Sequence, residues 1–462
     1  MFHENTYRKR RGDLRRQIAG GLILFPGNSE ASFNYPANTY HFRQDSDFLY
    51  FFGLDHPDLT AVIDVDSGAE IIFGNDVDMD DIIWMGHQPS MKDRAAKVGI
   101  SNTLPTTKLL DVLGEALEKK RKIHYLPPYR GDNLLRISEL LGTSPAMVKE
   151  GVSEDLIRAI VKLRIIKDEF EIKEIEFALD IAYEMHTTAM KMAMPGVVER
   201  EIAGTLEGIA SSMGNGISFP IILSINGQTL HNHYHGNTLE TGRMMVTDAG
   251  AESLLHYASD ITRTVPVGGK FNDRQKEIYE LVLKANTEAI KAIKPGRSNR
   301  DVHLLAAEII ASGLKDLGLM KGNIQEAVKK GAHALFFPHG LGHHMGLDVH
   351  DMEGLGENYV GYDHKIKRSD QFGLAFLRFG KEYEPGHVFT VEPGIYFIPA
   401  LIDLWKSENK FKEFINYEAV ESYKDFGGIR IEDDLLVTQE GYKVLGKPIP
   451  KSVKEIEEIM GQ

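Results

Sequence analysis

The sequence predicts an α/β protein of two domains, the second assembled from two related halves that face each other. Three observations carry this. The first 150 residues alternate short apolar segments of strand length with helical stretches. From Asp168 a long amphipathic helix runs towards Pro195–Gly196. The segment that ends this helix then recurs one hundred residues later.

At the start of the chain, Arg8 to Arg11 and Arg15–Arg16 precede the apolar run Ile18–Phe25. The pair loosely imitates a secretory leader. The run is short, holds Gly20 and Gly21, ends at Pro26 and lacks a small-x-small cleavage site, so a basic helix leading into a core strand at Leu22–Phe25 is expected. Phe48–Phe52, Thr60–Val65 and Ile71–Phe73 read as further strands, Ser90–Val98 and Leu109–Lys120 as helices. Val152–Ile165 reads as a connector, dividing the chain into domains 1–163 and 164–462. Beyond it Ile172, Ile175, Leu179 and Ala182 recur at helical spacing, and Pro195 must stop that helix. Residues 189–202 read AMKMAMPGVVEREI and residues 289–302 read AIKAIKPGRSNRDV, with Ala, Lys, Pro, Gly and Arg in register. Five identities within one helix–stop–helix pattern point to duplication, and a site is expected between the halves.

Composition removes whole classes of function. With 67 acidic against 53 basic residues the net charge is −14, which argues against nucleic acid as a partner. There is no cysteine, so disulfides, thiolate nucleophiles and sulfur-ligated metals are excluded. No apolar run approaches the ~18 residues of a membrane span. No membrane partner and a cytoplasmic location are expected.

The chemistry concentrates in the second domain. Met244–Gly250 reads as a strand and Tyr257–Val267 as its returning partner, placing Asp248 and Asp260 on two arms of one hairpin. Acids inside such apolar strands are costly unless something neutralises them. Pro338–Asp351 (PHGLGHHMGLDVHD) gathers four histidines among glycines that allow close backbone approach. Glu392 ends the apolar strand of VFTVEPG, and Arg430 and Glu432 in GGIRIEDD are two apart, on one face of a strand. Four carboxylates and one imidazole balance two divalent ions. Oxygen-rich donors with a single imidazole suit manganese, cobalt, zinc or iron(II), and manganese is the ion expected. Such a pair activates a shared water and polarises a carbonyl.

VTDAG, SDITRTVPVGGKF, HGLGHHMGLDVHD, TVEPGIYF and GIRIEDD, in this order, resemble the pita-bread metallopeptidases of the aminopeptidase P and prolidase branch, over about residues 150 to 445. That branch also carries an α/β domain ahead of the catalytic one. The resemblance implies metal ligands Asp248, Asp260, His343, Glu392 and Glu432, with Glu392 also taking a proton from the bridging water. It implies that His339 and His350 face the scissile carbonyl and that Arg430 ties down neighbouring carboxylates. For a further histidine, ungapped spacing to Asp248 selects His231, whereas the His-Tyr pair selects His233; if this stretch were a strand, residues 231, 233 and 235 would share a face.

The activity implied is release of an N-terminal residue from peptides with proline second, by a cytoplasmic dimer acting on short proline-containing peptides. Xaa-Pro dipeptidase (prolidase) action is the alternative. The stretch GIYFIPALIDLWKSENKF and Arg378, 14 residues before Glu392, are prolidase-like, and related enzymes of the fold hydrolyse phosphotriesters. Side chains near Tyr396 and Phe397 are expected to wall the proline ring. A metal-free creatinase-like or binding-only protein would lack the five ligands, all of which are present here.

Overall fold

A computed structural model describes residues 1–461. They form two compact units: Met1–Arg164 with Gly354–Tyr359, and Ile165–Glu353 with Val360 onward. Among the described residues no helix is long and apolar enough to cross a membrane.

The first unit is built on a mixed five-stranded sheet of β1 (Leu22–Pro26), β2 (Thr60–Asp64), β3 (Glu70–Phe73), β4 (Asn102–Leu104) and β5 (Ile123–His124), in the order β4-β3-β2-β1-β5. Alternation along β1 sends Leu22 and Leu24 into a cluster with Val62, Phe73, Leu109, Leu113 and Ile137. Phe25 instead meets Phe51 and Phe52, at ring-centroid distances of 5.3 and 5.4 Å. The basic start is helix α1 (Glu4–Arg15). Its arginines are structural: Arg10 donates to the Tyr50 carbonyl at 3.2 Å, and Arg11 to those of Phe51 and Val98, each at 2.9 Å.

Phe48–Phe52, expected as a strand, lies in helix α2 (Ser46–Phe52). Asp45 caps it by accepting from Phe48 N at 2.9 Å, and Gly53 ends it at φ 60°. Every residue of α2 is buried, so no amphipathic period marked it, and tertiary burial overrode the strand preference of its aromatic residues. The connector is helix α3 (Glu154–Arg164), whose Arg164 pairs with Asp47 at 2.6 Å.

In the second unit α4 (Glu169–Met192) and α5 (Glu199–Met213) are matched by α6 (Asp273–Lys291) and α7 (Asn299–Asp316). The repeat extends to individual hydrogen bonds. Gly196 and Gly296 both have positive φ, 92° and 80°. Each donates its N–H over 2.9 Å, to Leu239 O and Tyr383 O respectively. Three residues on, Glu199 N and Asn299 N donate to Asn237 O and Lys381 O, both at 3.0 Å. The stop between helices is therefore a backbone device used twice, with glycine where a side chain would be strained.

The strands of this unit are β6 (Ile222–Ser224), β7 (Met244–Ala249) and β8 (Ile261–Pro266) in one sheet. A second sheet holds β9 (Val388–Val391), β12 (Asp433–Val437) and β13 (Tyr442–Val444), while β10 (Gly394–Tyr396) pairs with β11 (Gly428–Arg430). Two expectations are corrected here. The returning strand begins at Ile261, so Asp260 precedes it. Arg430 and Glu432 do not share a strand, because Ile431 N donates to Pro393 O and Glu432 N to Thr262 O, and the chain changes partners between β11 and β12.

Candidate active site

The acids converge because β8 runs against residues 428–434. Thr264 Oγ1 accepts from Arg430 N at 3.1 Å and donates to Arg430 O at 3.0 Å. Glu432 N donates to Thr262 O at 3.1 Å, and Asp434 accepts from Asp260 N at 3.0 Å. On the neighbouring strand Asp248 stands opposite Thr262. Asp248, Asp260 and Glu432 are all buried, while Glu392, directly after β9, is partly buried.

The histidine loop meets β9 through Gly342, where an added Cβ would lie 1.9 Å from Thr390 O. Thr390 N donates to His343 O at 3.0 Å, which registers the loop on the strand. His343 Nδ1 lies 3.1 Å from the His344 carbonyl. A carbonyl only accepts, so Nδ1 carries the proton and Nε2 presents its lone pair to the acids. That Nε2 stands 3.3 Å from Asp260 Oδ2 and 3.8 Å from Glu392 Oε1.

These residues fit divalent metal. Ligand atoms of Asp260, His343 and Glu432 all lie within 4.8 Å of one another. Asp248 Oδ1 and Asp260 Oδ1 are buried without a hydrogen-bond partner. Burial, then the charges of Asp248 and Glu392, push the Asp260 carboxyl well above its usual range. Burial and then Asp260 do the same to Glu432. Acids that repel one another in a dry cluster, with lone pairs left open, are neutralised by cations.

Arg430 sits behind this cluster. Its guanidinium pairs with Asp248, donates from Nε to Thr262 Oγ1 at 3.0 Å and from Nη1 to the Tyr396 hydroxyl at 2.9 Å. Thr262 Oγ1 in turn donates to Glu432 Oε2 at 2.7 Å. One arginine therefore fixes two of the acids, one directly and one through a threonine.

His339 is tied at both nitrogens. Nδ1 donates to the Gly340 carbonyl at 2.8 Å, and Nε2, 2.9 Å from the Tyr396 hydroxyl, accepts from it. Burial, then the charge of Arg430, lower its pKa to about 3, so it is neutral. His350 differs. Its ring lies 4.2 Å from that of His343, centroid to centroid, and Nδ1 is 2.6 Å from Glu353 Oε2. Burial, then the charge of His343, lower its pKa to about 4, so the neutral ring gives its proton to Glu353 from Nδ1, and among the described residues its Nε2 makes no hydrogen bond.

Residues 231, 233 and 235 lie in a turn and loop rather than a strand, and His235 Nε2 bonds the Ile221 carbonyl at 3.1 Å. His231 keeps exposed surface, yet crowding around its ring, then the charge of Arg430, lower its pKa, and Asp248, Arg378 and His350 also act on it. His233 is exposed. Tyr396 and Phe397 are both fully buried, so neither offers an open wall to a proline ring: Phe397 stacks on Tyr423 at 4.8 Å. Thr262, Tyr396 and Glu353 are contributors that sequence reasoning missed in these roles. The Thr-rich returning strand was a signal for the first, whereas Glu353 left none.

Comparison with known proteins agrees with this geometry. Residues 173–439 match Metallopeptidase family M24, and residues 7–125 match the aminopeptidase P N-terminal domain. The chain is 32% identical to human Xaa-Pro dipeptidase over 455 residues, covering 96% of this chain and 89% of that one. It is 33% identical to a probable Xaa-Pro aminopeptidase of Aspergillus fumigatus, covering 90% and 88%. Among solved structures, a Glu-to-Ala variant of Escherichia coli aminopeptidase P in complex with substrate aligns with a TM-score of 0.82 at 28% identity. The alignment covers 100% of this chain and 98% of that one.

Proposed function

The chain belongs to metallopeptidase family M24, and from that premise we propose that it is a Xaa-Pro aminopeptidase that releases the residue preceding a proline at the second position. The observation that carries this reading is the buried donor cluster of Asp260, His343 and Glu432, flanked by Asp248 and Glu392. The aminopeptidase P likeness across both units supports it.

Asp248, Asp260, His343, Glu392 and Glu432 would hold two divalent ions, as the balance of four carboxylates against two dications suggests, with manganese the ion expected. Such a pair supplies an acidified water and polarises the scissile carbonyl. The protein supplies the rest. Glu392, its pKa raised first by burial, is suited to take a proton from the attacking water and pass it on. His231 is the imidazole left to meet the substrate carbonyl and the oxyanion, and His350, whose Nδ1 donates to Glu353, turns the lone pair of Nε2 to the substrate, while His339 braces Tyr396. Arg430 keeps the carboxylates in place as charge builds. A dimeric, cytoplasmic enzyme completes the reading.

The test is a panel of Ala-Pro-Ala, Ala-Pro and Ala-Ala-Ala assayed with defined metals. Cleavage of Ala-Pro-Ala well above both others is expected. Equal cleavage of Ala-Ala-Ala would remove the proline requirement.

Prolidase action is the second reading, favoured by the human relative and by Arg378, whose Nε lies 3.4 Å from Glu353 Oε2. A bidentate arginine is the natural partner of a dipeptide carboxylate. If it serves so, Arg378→Ala raises KM for Ala-Pro by about tenfold, the effect of ~1.4 kcal/mol, and leaves Ala-Pro-Ala nearly unchanged. Equal responses of both substrates would place Arg378 outside substrate binding.

A further inference from the structure

The turn after His350 holds a carboxylate that the reaction above does not use. Glu353 N donates to the His350 carbonyl at 3.2 Å, and Glu353 Oε2 accepts from His350 Nδ1 at 2.6 Å. The same Oε2 stands 3.4 Å from Arg378 Nε. All three side chains are reached by solvent, at 31% for His350, 33% for Arg378 and 41% for Glu353.

This placement is built into the chain. Asp351 is held by Lys167 at 2.8 Å, and both side chains are only 1% exposed. Met352, which is buried, adopts φ 61°, a backbone conformation that a non-glycine side chain takes only against steric strain. That reversal brings Glu353 back over His350. Arg378 also acts inward: behind burial, its charge is among the influences that lower the pKa of His231, His339, His343 and His350.

The geometry points to Glu353 as a specificity-determining residue that neutralises Arg378 from within the chain and so disfavours peptides ending at the proline. This rests on Xaa-Pro cleavage at the site described. A dipeptide brings a carboxylate to the guanidinium and meets the Glu353 carboxylate already there. A longer peptide brings a neutral amide and meets no like charge. Discrimination would then come from a repulsive element placed against the wrong substrate.

The experiment compares kcat/KM for Ala-Pro and Ala-Pro-amide, which differ only in the charged terminus, in wild type, Glu353→Gln and Glu353→Ala. The ratio of the two substrates should rise about fivefold in both variants, chiefly through KM, the upper range for a solvent-reached charge pair. Adding Arg378→Ala should abolish the rise. Because the ratio cancels any loss common to both substrates, a disturbed His350 does not obscure the result. An unchanged ratio in both variants, with the amide still cleaved, overturns the role of Glu353 alone. Failure of wild type to cleave either Ala-Pro-amide or Ala-Pro-Ala with any metal overturns the Xaa-Pro reading instead.

Discussion

Replacing Asp260 by Asn or Glu432 by Gln should reduce turnover to background while leaving a folded protein. Both acids are buried among other carboxylates, and the Asp260 ligand atom lies within 4.8 Å of those of His343 and Glu432. Loss of one charge from this set removes the balance that two dications need. The fold should survive, because in the metal-free protein these carboxyls repel each other. Their pKa values are raised in the folded state, so between the usual carboxylate range and those raised values folding binds protons. The metal-free wild type should therefore lose stability as pH rises through that window. Metal should reverse this, stabilising the folded form by about 2.7 kcal/mol at a hundred times its dissociation constant. Thermal melts at pH 6 and pH 8, with chelator or with manganese, read all three effects. A metal-free Asp260→Asn protein melting far below metal-free wild type would show the acid to be structural.

His350→Ala should lower kcat by about tenfold, the loss of one hydrogen bond of ~1.4 kcal/mol to the substrate, with metal content unchanged. Its Nδ1 donates to Glu353, its Nε2 makes no hydrogen bond among the described residues, and its ring lies against that of His343. His339→Ala should also lower kcat, but by another route. Both nitrogens of that ring are engaged, and its link to Arg430 runs through the Tyr396 hydroxyl. Tyr396→Phe removes that link while keeping the ring, and should reproduce part of the His339→Ala loss. Near-normal kcat in His350→Ala would take that imidazole out of the mechanism. A Tyr396→Phe enzyme indistinguishable from wild type would mean that His339 does not act through the tyrosine.

The sequence by itself marked the candidate donors and determined the duplicated scaffold. Asp248, Asp260, His343, Glu392 and Glu432 stand out because acids and imidazoles in apolar segments or among glycines demand a chemical reason. The Pro-Gly stops at 195–196 and 295–296 are legible because proline and glycine act on their own backbone. Only the tertiary structure decided what depends on partners distant in the chain. Helix α2 escaped detection because burial on every side erases the amphipathic period. The break between Arg430 and Glu432 arises where successive backbone N–H groups find partners at Pro393 and Thr262. Glu353 joins His350 to Arg378, which lies 25 positions beyond Glu353, through a turn set by the strained Met352. Short-range sterics and hydrophobic period are written along the sequence, whereas burial, partner choice and the field of remote charges exist only once the chain has closed on itself.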